Sequence, residues 1–266
     1  IRDRFCTFAR RVRDAIAKVA IPIHKTPISM QLFYAPDLDP ASGSYLLGEE
    51  ESKHAVRVLR LGRGDSLWVT DGRGAMCRAE IADDSPRGCR LEILGCEQGF
   101  GQRPYSLHLA VAPTKNVDRY EWFAEKATEI GVDRITPVLT DRCERRTLRI
   151  DRILRVVTGA MKQSLKAYLP RVDSPMPLRE LLELPCAGSR LIAHCEESGN
   201  RTPLGEAFGP REQVLILIGP EGDFSSDEIR SALDSGFRAV SLGRSRLRTE
   251  TAGVVAAHSV AFVNGW

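Results

Sequence analysis

Two glycine-bearing turns near the C-terminal end of the chain carry residue types that could bind a small ligand. In the first turn, an apolar run at 214–218 leads into Gly219-Pro220-Glu221-Gly222, and Ser225 and Glu228 follow at capping-box spacing. Glycines let the backbone approach a ligand closely, and the amides that begin a helix attract polar groups. A tight connection would also explain the glycines. However, a carboxylate between two glycines at a strand end has no core to serve, so Glu221 favours a binding turn.

The second turn also follows an apolar strand pattern and precedes a helix rich in alanine and valine. Its sequence is Gly243-Arg244-Ser245-Arg246-Leu247-Arg248. Thr249 or Glu250 could cap the helix, and Arg248 is placed to bind an anion or a carboxylate such as Glu221. Neither turn has the spacing of a dinucleotide fingerprint, a phosphate-binding loop or a nucleophile elbow, which argues against nucleotide triphosphate hydrolysis and serine-hydrolase chemistry.

The segment from 105 onward alternates apolar strands with helices and is therefore typical of an α/β fold. The alternation predicts a mainly parallel sheet with helices on both faces. In such sheets the ligand crevice lies beyond the carboxyl ends of the strands, which is where both turns occur. We expect strands at 107–112, 135–139, 190–194, 214–218 and 239–242, and helices at 117–130, 150–169, 226–235 and 251–263.

The segment 31–100 has short strand-like runs separated by glycine-rich turns, which predicts a small β-barrel. One helix is expected at 50–60, and residues 100–104 have the composition of a linker. The polar side of that helix carries Lys53, His54, Arg57 and Arg60.

Residues 142–171 form a strongly basic region, with nine arginines and lysines opposed only by Glu144 and Asp151. A solvated helix face is the commoner origin of such a pattern. Acidic residues would ordinarily be interleaved there, however, and a positive strip of this density also suits a phosphate backbone. The basic residues are Arg142, Arg145, Arg146, Arg149, Arg152, Arg155, Lys162, Lys166 and Arg171.

The composition is that of a foldable chain. Of its 266 residues, 42% are hydrophobic and 27% are charged, with a formal net charge of +3. No apolar run is long enough to cross a bilayer, so we expect no membrane-spanning segment. Residues 1–29 carry seven basic residues against two acidic ones, with apolar residues at helical spacing. They are expected to form a basic N-terminal extension, to which we assign no function.

The seven cysteines fit neither a disulfide scaffold nor a zinc site. Their number is odd, no two are separated by two to four residues, and the five histidines do not cluster beside them. We therefore expect reduced thiols, no metal and a cytoplasmic protein.

Beyond these patterns, the paired turns resemble those of the ribosomal small-subunit RNA uridine-N3 methyltransferases, a family of the SPOUT superfamily. The resemblance is carried by Ile218-Gly219-Pro220-Glu221-Gly222 together with Leu242-Gly243 and Leu247-Arg248-Thr249-Glu250-Thr251-Ala252. It is supported by His54 with Val58-Leu59-Arg60-Leu61, and by Lys126-Ala127-Thr128-Glu129-Ile130-Gly131-Val132. Two departures stand out: Asp223 replaces a usual second glycine, and Arg244-Ser245-Arg246 replaces a Gly-Pro-Arg sequence that precedes an aliphatic residue.

The resemblance spans about residues 30–263 and implies a PUA-like RNA-binding β-barrel at 30–100 and a methyltransferase domain at 105–266. That domain would carry a deep trefoil knot, which base rates alone would reject. The family also implies a homodimer and S-adenosylmethionine as methyl donor. Cofactor-binding residues would be His194, Leu217, Ile218, Gly219, Glu221, Gly222, Leu242, Gly243, Leu247, Arg248 and Thr249.

The expected reaction is methylation of N3 of one uridine in the 16S ribosomal RNA of the small subunit. Glu250 and Arg248 are the catalytic candidates, and Glu221 is a second candidate for the carboxylate that removes the N3 proton. Either carboxylate could instead be a structural partner of Arg248, and the structural role fits Glu221 better. RNA contacts are expected from His54, Arg57, Arg60, Arg142, Arg145, Arg149, Arg152, Lys162 and Lys166. Two alternatives stay open: an RNA-binding module without catalysis, and a knotted methyltransferase that acts on transfer RNA.

Overall fold

The computed structural model describes residues 30–196 and 201–266, which build two separate sheets. The predicted basic extension at 1–29 lies outside the described residues. Within the described part, no helix combines the length and the apolar composition needed to cross a membrane.

The first sheet has five strands and surrounds its own core. Its order is β1-β3-β4-β5-β2, and every pair except β1 with β3 is antiparallel. Phe33, Val69 and Leu91 are completely or almost completely buried inside it. The strands are β1 (Leu32–Tyr34), β2 (Ser44–Leu46), β3 (Ser66–Thr70), β4 (Met76–Asp83) and β5 (Arg90–Glu97). The predicted helix is present as α1 (Glu49–Lys53), which continues as a π-helical turn at His54–Val58.

Two of the cysteines are not the reduced thiols that we expected. Cys77 on β4 and Cys96 on β5 form a disulfide, because the antiparallel register places them directly opposite each other. Cys89, Cys143, Cys186 and Cys195 are free thiols. A spacing of 19 residues does not reveal such a pair, since only the register of the two strands brings the sulfur atoms together.

The second sheet contains only parallel pairs. Its order is β11-β13-β10-β12-β6-β7-β8, and β9 also pairs with β7. The strands are β6 (Ser106–Val111), β7 (Arg134–Leu139), β8 (Arg171–Val172), β9 (Met176–Pro177), β10 (Ser189–Ala193), β11 (Thr202–Pro203), β12 (Gln213–Ile218) and β13 (Arg238–Ser241). The helices are α2 (Val117–Ile130), α3 (Ile150–Gln163), α4 (Leu178–Leu182), α5 (Ser226–Asp234) and α6 (Thr249–Val263).

Helices cover both faces of this sheet, which confirms the predicted α/β class. Strand β12 shows the arrangement: Val214 and Ile216 belong to the cluster with α2 and α6, whereas Leu215 and Leu217 pack with α4 and α5. Because alternate side chains of a strand point to opposite faces, burial on both faces requires an uninterrupted apolar run.

Helix α3 ends six residues earlier than the predicted 150–169, at Gln163. Leu165 adopts a positive φ of 54°, and the chain then turns toward the first sheet. The Ala167 carbonyl accepts hydrogen bonds from the Gly74 amide (2.8 Å) and the Thr70 hydroxyl (3.3 Å). These hydrogen bonds join the segment after α3 to the first sheet. In a continued helix the Ala167 carbonyl would instead have accepted a bond from a helical amide.

A half-buried histidine on β6 gives the fold a predictable pH dependence. His108 Nε2 lies 2.7 Å from Thr136 Oγ1, and the Thr136 hydroxyl donates to Asp173. The imidazole therefore donates to Thr136, for which the neutral ring suffices. Burial, assisted by the Arg134 guanidinium, lowers the pKa of His108 to about 4.

We expect this histidine to weaken the fold in mild acid. The unfolded chain binds a proton near pH 6.5, whereas the folded chain binds it only near pH 4. Stability should therefore fall as the pH drops through this window, by roughly 2 kcal/mol between pH 7 and pH 5. Urea denaturation at both pH values measures the effect. His108→Gln should lose about that much of the pH dependence, and an identical dependence in both proteins would contradict the prediction.

Candidate active site: a cavity formed by three strand-end loops

A cavity of about 850 Å³ opens at the carboxyl ends of β13, β10 and β12, which are neighbours in the sheet. Its walls come from the segments 193–196, 218–224 and 240–249. The position is the one expected for a ligand site in a parallel sheet, and the volume lies in the range of small-molecule pockets.

The two glycine-bearing turns meet directly in this cavity, as predicted. The Thr249 hydroxyl donates to the Gly219 carbonyl over 2.9 Å, and both residues are buried. Sequence reasoning gave Thr249 or Glu250 the role of helix cap. Instead, α6 begins at Thr249, and no side chain of the described residues caps it. The hydroxyl is used to hold the neighbouring turn.

Asp223 joins the loop at 193–196, the third wall of the cavity, to the first glycine-bearing turn. The family usually has a glycine at the position of Asp223. Asp223 has a φ of +61°, a left-handed conformation that aspartate tolerates better than most residues. Its Oδ2 accepts from the Cys195 amide at 2.7 Å, and its Oδ1 accepts from the Phe224 amide at 2.9 Å. The replacement therefore adds a link between two walls of the cavity.

His194 contributes a nearly buried imidazole to the wall. The residue is 7% exposed, and its Nδ1 has no hydrogen-bond partner among the described residues. Burial lowers the pKa of His194 below its ordinary value, although Asp223 acts in the opposite direction. The ring is therefore neutral near pH 7. Arg201 Nη1 donates to the His194 carbonyl over 2.6 Å and fixes the strand end.

Most of the predicted cofactor residues line the cavity. They are His194, Ile218, Gly219, Glu221, Leu242, Gly243, Leu247, Arg248 and Thr249. Leu217 and Gly222 are not in the lining: Leu217 points to the opposite face of the sheet, and Gly222 packs beside Arg142. The lining also includes Cys195, which lies in a loop that the family resemblance assigns to the cofactor, and Glu196 and Arg201, which were not predicted. The sequence feature that could have identified them is their position beyond β10, the strand that lies between β12 and β13, which lead into the two glycine-bearing turns.

The candidate carboxylates occupy different environments. Glu221 lines the cavity, and its Oε1 accepts from the Lys115 amide at 3.0 Å. Glu250 is 7% exposed and lies outside the lining, with its Oε1 3.8 Å from Arg119 Nε. Arg248 forms no ion pair with either carboxylate within the described residues. The expected pairing of Arg248 with Glu221 is therefore absent there, and Glu221 is the candidate that reaches the cavity.

Much of the basic strip at 142–171 is occupied by protein partners. Arg152 Nε lies 2.5 Å from Glu121 Oε1 on α2, and Lys162 Nζ lies 2.6 Å from Glu51 Oε1 on α1. Arg149 pairs with Asp151 at 2.8 Å. The acids that seemed to be missing from the sequence around 142–171 thus come partly from other elements, which the local pattern does not show.

Two further arginines of the strip support the cavity rather than project freely. Arg142 Nη1 donates to the carbonyls of Gly222 (2.9 Å) and Phe224 (3.2 Å). Arg145 donates through Nε and Nη2 to the Lys115 carbonyl. Lys166 is partly buried, and burial lowers its pKa, helped by the Arg103 guanidinium.

The residues expected to bind RNA on the first sheet are exposed. They are His54, Arg57 and Arg60, which lie on or beside the π-helical turn. The His54 and Phe33 rings pack edge to face, with their centroids 5.9 Å apart. Arg57 and Arg60 have no ion-pair partner within the described residues, so their charges are available to a ligand.

Thr249→Val should uncouple the two turns. Valine matches threonine in shape but has no hydroxyl, so the buried Gly219 carbonyl would lose its donor, at a cost of about 1–3 kcal/mol of unfolding free energy. Urea denaturation measures the loss, and Thr249→Ser, which keeps a hydroxyl, should restore most of it. Equal stability of the valine and serine variants would contradict the role given to this hydrogen bond.

The fold and the cavity define an RNA methyltransferase. A protein-family model described as an RNA methyltransferase domain matches residues 92–261 of this chain. A second family model, described as an RNA methyltransferase PUA domain, matches residues 47–94. Its similarity to curated proteins shows that the chain belongs to the family of ribosomal RNA small subunit methyltransferase E.

Three relatives illustrate the similarity. The Synechocystis protein of this family is 33% identical over 205 residues, covering 75% of this chain and 67% of the relative. The Mycobacterium bovis protein is 30% identical over 239 residues, covering 86% of this chain and 90% of the relative. A crystal structure of the family member from Neisseria gonorrhoeae, bound to S-adenosyl methionine, is 28% identical and has a TM-score of 0.79, covering 87% of this chain and 96% of that one.

Proposed function

We propose that this chain transfers a methyl group from S-adenosylmethionine to N3 of a uridine in the 16S ribosomal RNA of the small subunit. The observation that carries the proposal is the hydrogen bond from Thr249 to Gly219, which joins both family motifs in one cavity. The family membership and the ligand bound to the Neisseria relative support the same conclusion. The trefoil threading of these loops, implied by the family resemblance, is part of the proposal.

The residues present fit this cofactor. Ile218, Leu242 and Leu247 offer apolar walls for a base and a ribose, and the adjoining backbone offers hydrogen-bonding groups. The unpartnered Nδ1 of His194 shows that the wall contains a polar atom that the described protein does not satisfy. Glu221 and Asp223 supply negative charge for a cation. When bound, the cofactor would supply an electrophilic methyl group on a sulfonium.

The protein's own contribution is to position the base and remove its proton. Neutral uridine is a poor nucleophile at N3, so the N3 proton must leave during the reaction. Glu221 is the candidate acceptor, because its carboxylate lines the cavity and Glu250 does not. Arg248 would stabilise the negative charge that develops on the base. Placing the nucleophile in line with the transferred group supplies much of the rate.

The RNA has to present an extruded base to the cavity, because N3 lies on the Watson–Crick edge of a paired uridine. In this proposal the domain at 30–100 grips the surrounding phosphates through His54, Arg57 and Arg60, and the domain at 105–266 carries the chemistry. The basic residues of 142–171 would add contacts where protein partners leave them free. We assign the protein to the cytoplasm, where its substrate is made.

Mapping of N3-methyluridine in ribosomal RNA tests the function. A strain that lacks this protein should lose the modification at one position of its 16S RNA, and the unaltered gene should restore it. Calorimetry should detect binding of S-adenosylmethionine to the purified chain. Persistence of the modification in the deletion strain would reject the substrate, and the absence of cofactor binding would reject the enzyme in favour of an RNA-binding module.

We also propose that the protein is a homodimer. Phe262 in the last turn of α6 is 59% exposed, and Trp266, three residues after the helix, is 49% exposed. The centroid of the His258 ring lies 6.1 Å from that of Phe262. Large exposed aromatic residues that lie close together are typical of protein interfaces. Light scattering should give twice the chain mass for the unaltered protein. Phe262→Asp should lower that mass, and an unchanged mass would place the interface elsewhere.

A further inference from the structure

A group of arginines without ion-pair partners among the described residues lies at the mouth of the cavity, in addition to Arg57 and Arg60 of the first domain. Arg244, Arg246 and Arg248 lie on one loop, all are exposed, and none forms an ion pair within the described residues. Arg201 lines the same cavity and uses its Nη1 on the His194 carbonyl. By contrast, Arg149 and Arg152 of the basic strip are paired with carboxylates.

The carboxylates of the cavity do not neutralise this loop. Glu221 accepts from the Lys115 amide, Asp223 from the amides of Cys195 and Phe224, and Glu196 from the Ser226 hydroxyl at 3.2 Å. None of these carboxylates forms an ion pair with the loop within the described residues, and the arginines of the lining outnumber its three carboxylates.

The loop is divided into an inner and an outer side. Thr249 is buried and Leu247 is half-buried, so these residues serve the inside of the cavity. Arg244 and Arg246 are exposed at its opening, on the side that a macromolecular substrate reaches first. Two guanidinium groups on one short loop match the charge and hydrogen-bonding geometry of phosphate oxygens.

We propose that Arg244 and Arg246 form a phosphate-binding site for the RNA strand at the mouth of the cavity. This inference rests on the proposed function and adds where the backbone next to the target nucleotide is held. Because the loop that carries the arginines also carries Leu247 and Thr249, a phosphate bound there fixes the strand at the cavity that the base must enter. The same guanidinium chemistry could bind the carboxylate of the cofactor, so the experiment separates the two anions.

The test compares R244Q/R246Q with the matched control R179Q/R230Q. Both variants lose two positive charges, and the control residues are 84% and 70% exposed on α4 and α5, away from the cavity lining. Affinity for small-subunit ribosomal RNA transcribed in vitro is measured at several salt concentrations, and affinity for S-adenosylmethionine is measured by calorimetry. For R244Q/R246Q we expect roughly tenfold weaker RNA binding at 0.1 M salt, and a log–log salt slope flatter by about 1.4. Cofactor affinity should stay within about twofold of the unaltered value, and the control should match the unaltered chain in both measurements.

Two results would overturn the proposal. An RNA affinity and salt slope equal to those of the control would show that the arginines do not contact phosphate. A fall in cofactor affinity with unchanged RNA affinity would assign them to the carboxylate of the cofactor. Methylation of ribosomal RNA by the unaltered chain tests the proposed function separately, so a failure of the arginine site leaves that result standing.

Discussion

Gly219→Val is expected to weaken the binding of S-adenosylmethionine by about 100-fold while most of the fold persists. A Cβ atom at this position would lie 3.0 Å from Phe224 Cδ2 and 3.3 Å from Asp223 Oδ1. Phe224 is 2% exposed and packs in the core between the sheet and α5, so its ring has little room to move. The obstacle to the side chain is thus the loop's own packing, independently of any contact with the cofactor.

The consequence for the cavity follows from what this turn holds. The Gly219 carbonyl accepts the Thr249 hydroxyl, and Asp223 holds the Cys195 amide, so displacement of the turn separates all three walls. Overpacking of a tight site costs about 1–3 kcal/mol. If a cost near the upper end of this range raises the free energy of the cofactor-bound protein relative to the free protein, the affinity for the cofactor drops about 100-fold.

Calorimetry on a matched pair of variants checks this expectation. Gly43→Val is the control, because a Cβ at Gly43 meets nothing within 4 Å. Its affinity should equal that of the unaltered chain, and circular dichroism should show that both variants are folded. Cofactor binding by folded Gly219→Val at the unaltered affinity would contradict the role given to this turn.

The features that sequence reasoning predicted well are those encoded by local patterns. Helix α2 has the predicted bounds, Val117–Ile130, because Asn116 caps it by accepting from the Asp118 amide and Gly131 ends it with a positive φ of 121°. The predicted capping box of Ser225 and Glu228 begins α5. The strand-end rule placed both turns at one cavity, because it follows from the geometry of parallel sheets.

The features that were missed depend on partners far away in the sequence. Glu121 and Glu51 neutralise Arg152 and Lys162 from other elements, so the strip at 142–171 looked freer than it is. Glu250 follows the second glycine-bearing turn in the sequence, yet α6 directs its carboxylate toward Arg119 and away from the cavity. Residue spacing within one segment carries no information on which neighbour will approach it.

Gly253→Ala is expected to destabilise the protein even though alanine favours helices over glycine. A Cβ at Gly253 would lie 2.5 Å from Phe123 Cε2 and 2.6 Å from its Cδ2. Phe123 is completely buried between α2 and the sheet, so α6 would have to move away from α2. Overpacking of this kind typically costs about 1–3 kcal/mol, which exceeds the gain of roughly 1 kcal/mol from helix propensity.

The opposite sign is expected at Gly159, which lies inside α3 and has nothing within 4 Å of its Cβ position. Gly159→Ala should therefore raise the free energy of unfolding by up to about 1 kcal/mol, since only helix propensity changes there. Adding Phe123→Leu to Gly253→Ala should recover part of the loss, because the smaller side chain gives the new methyl group room. Urea denaturation of the four proteins measures these differences. A gain in the free energy of unfolding at both glycines would contradict the close contact between α6 and α2. That contact places the N-terminus of α6, and with it Thr249, at the cavity.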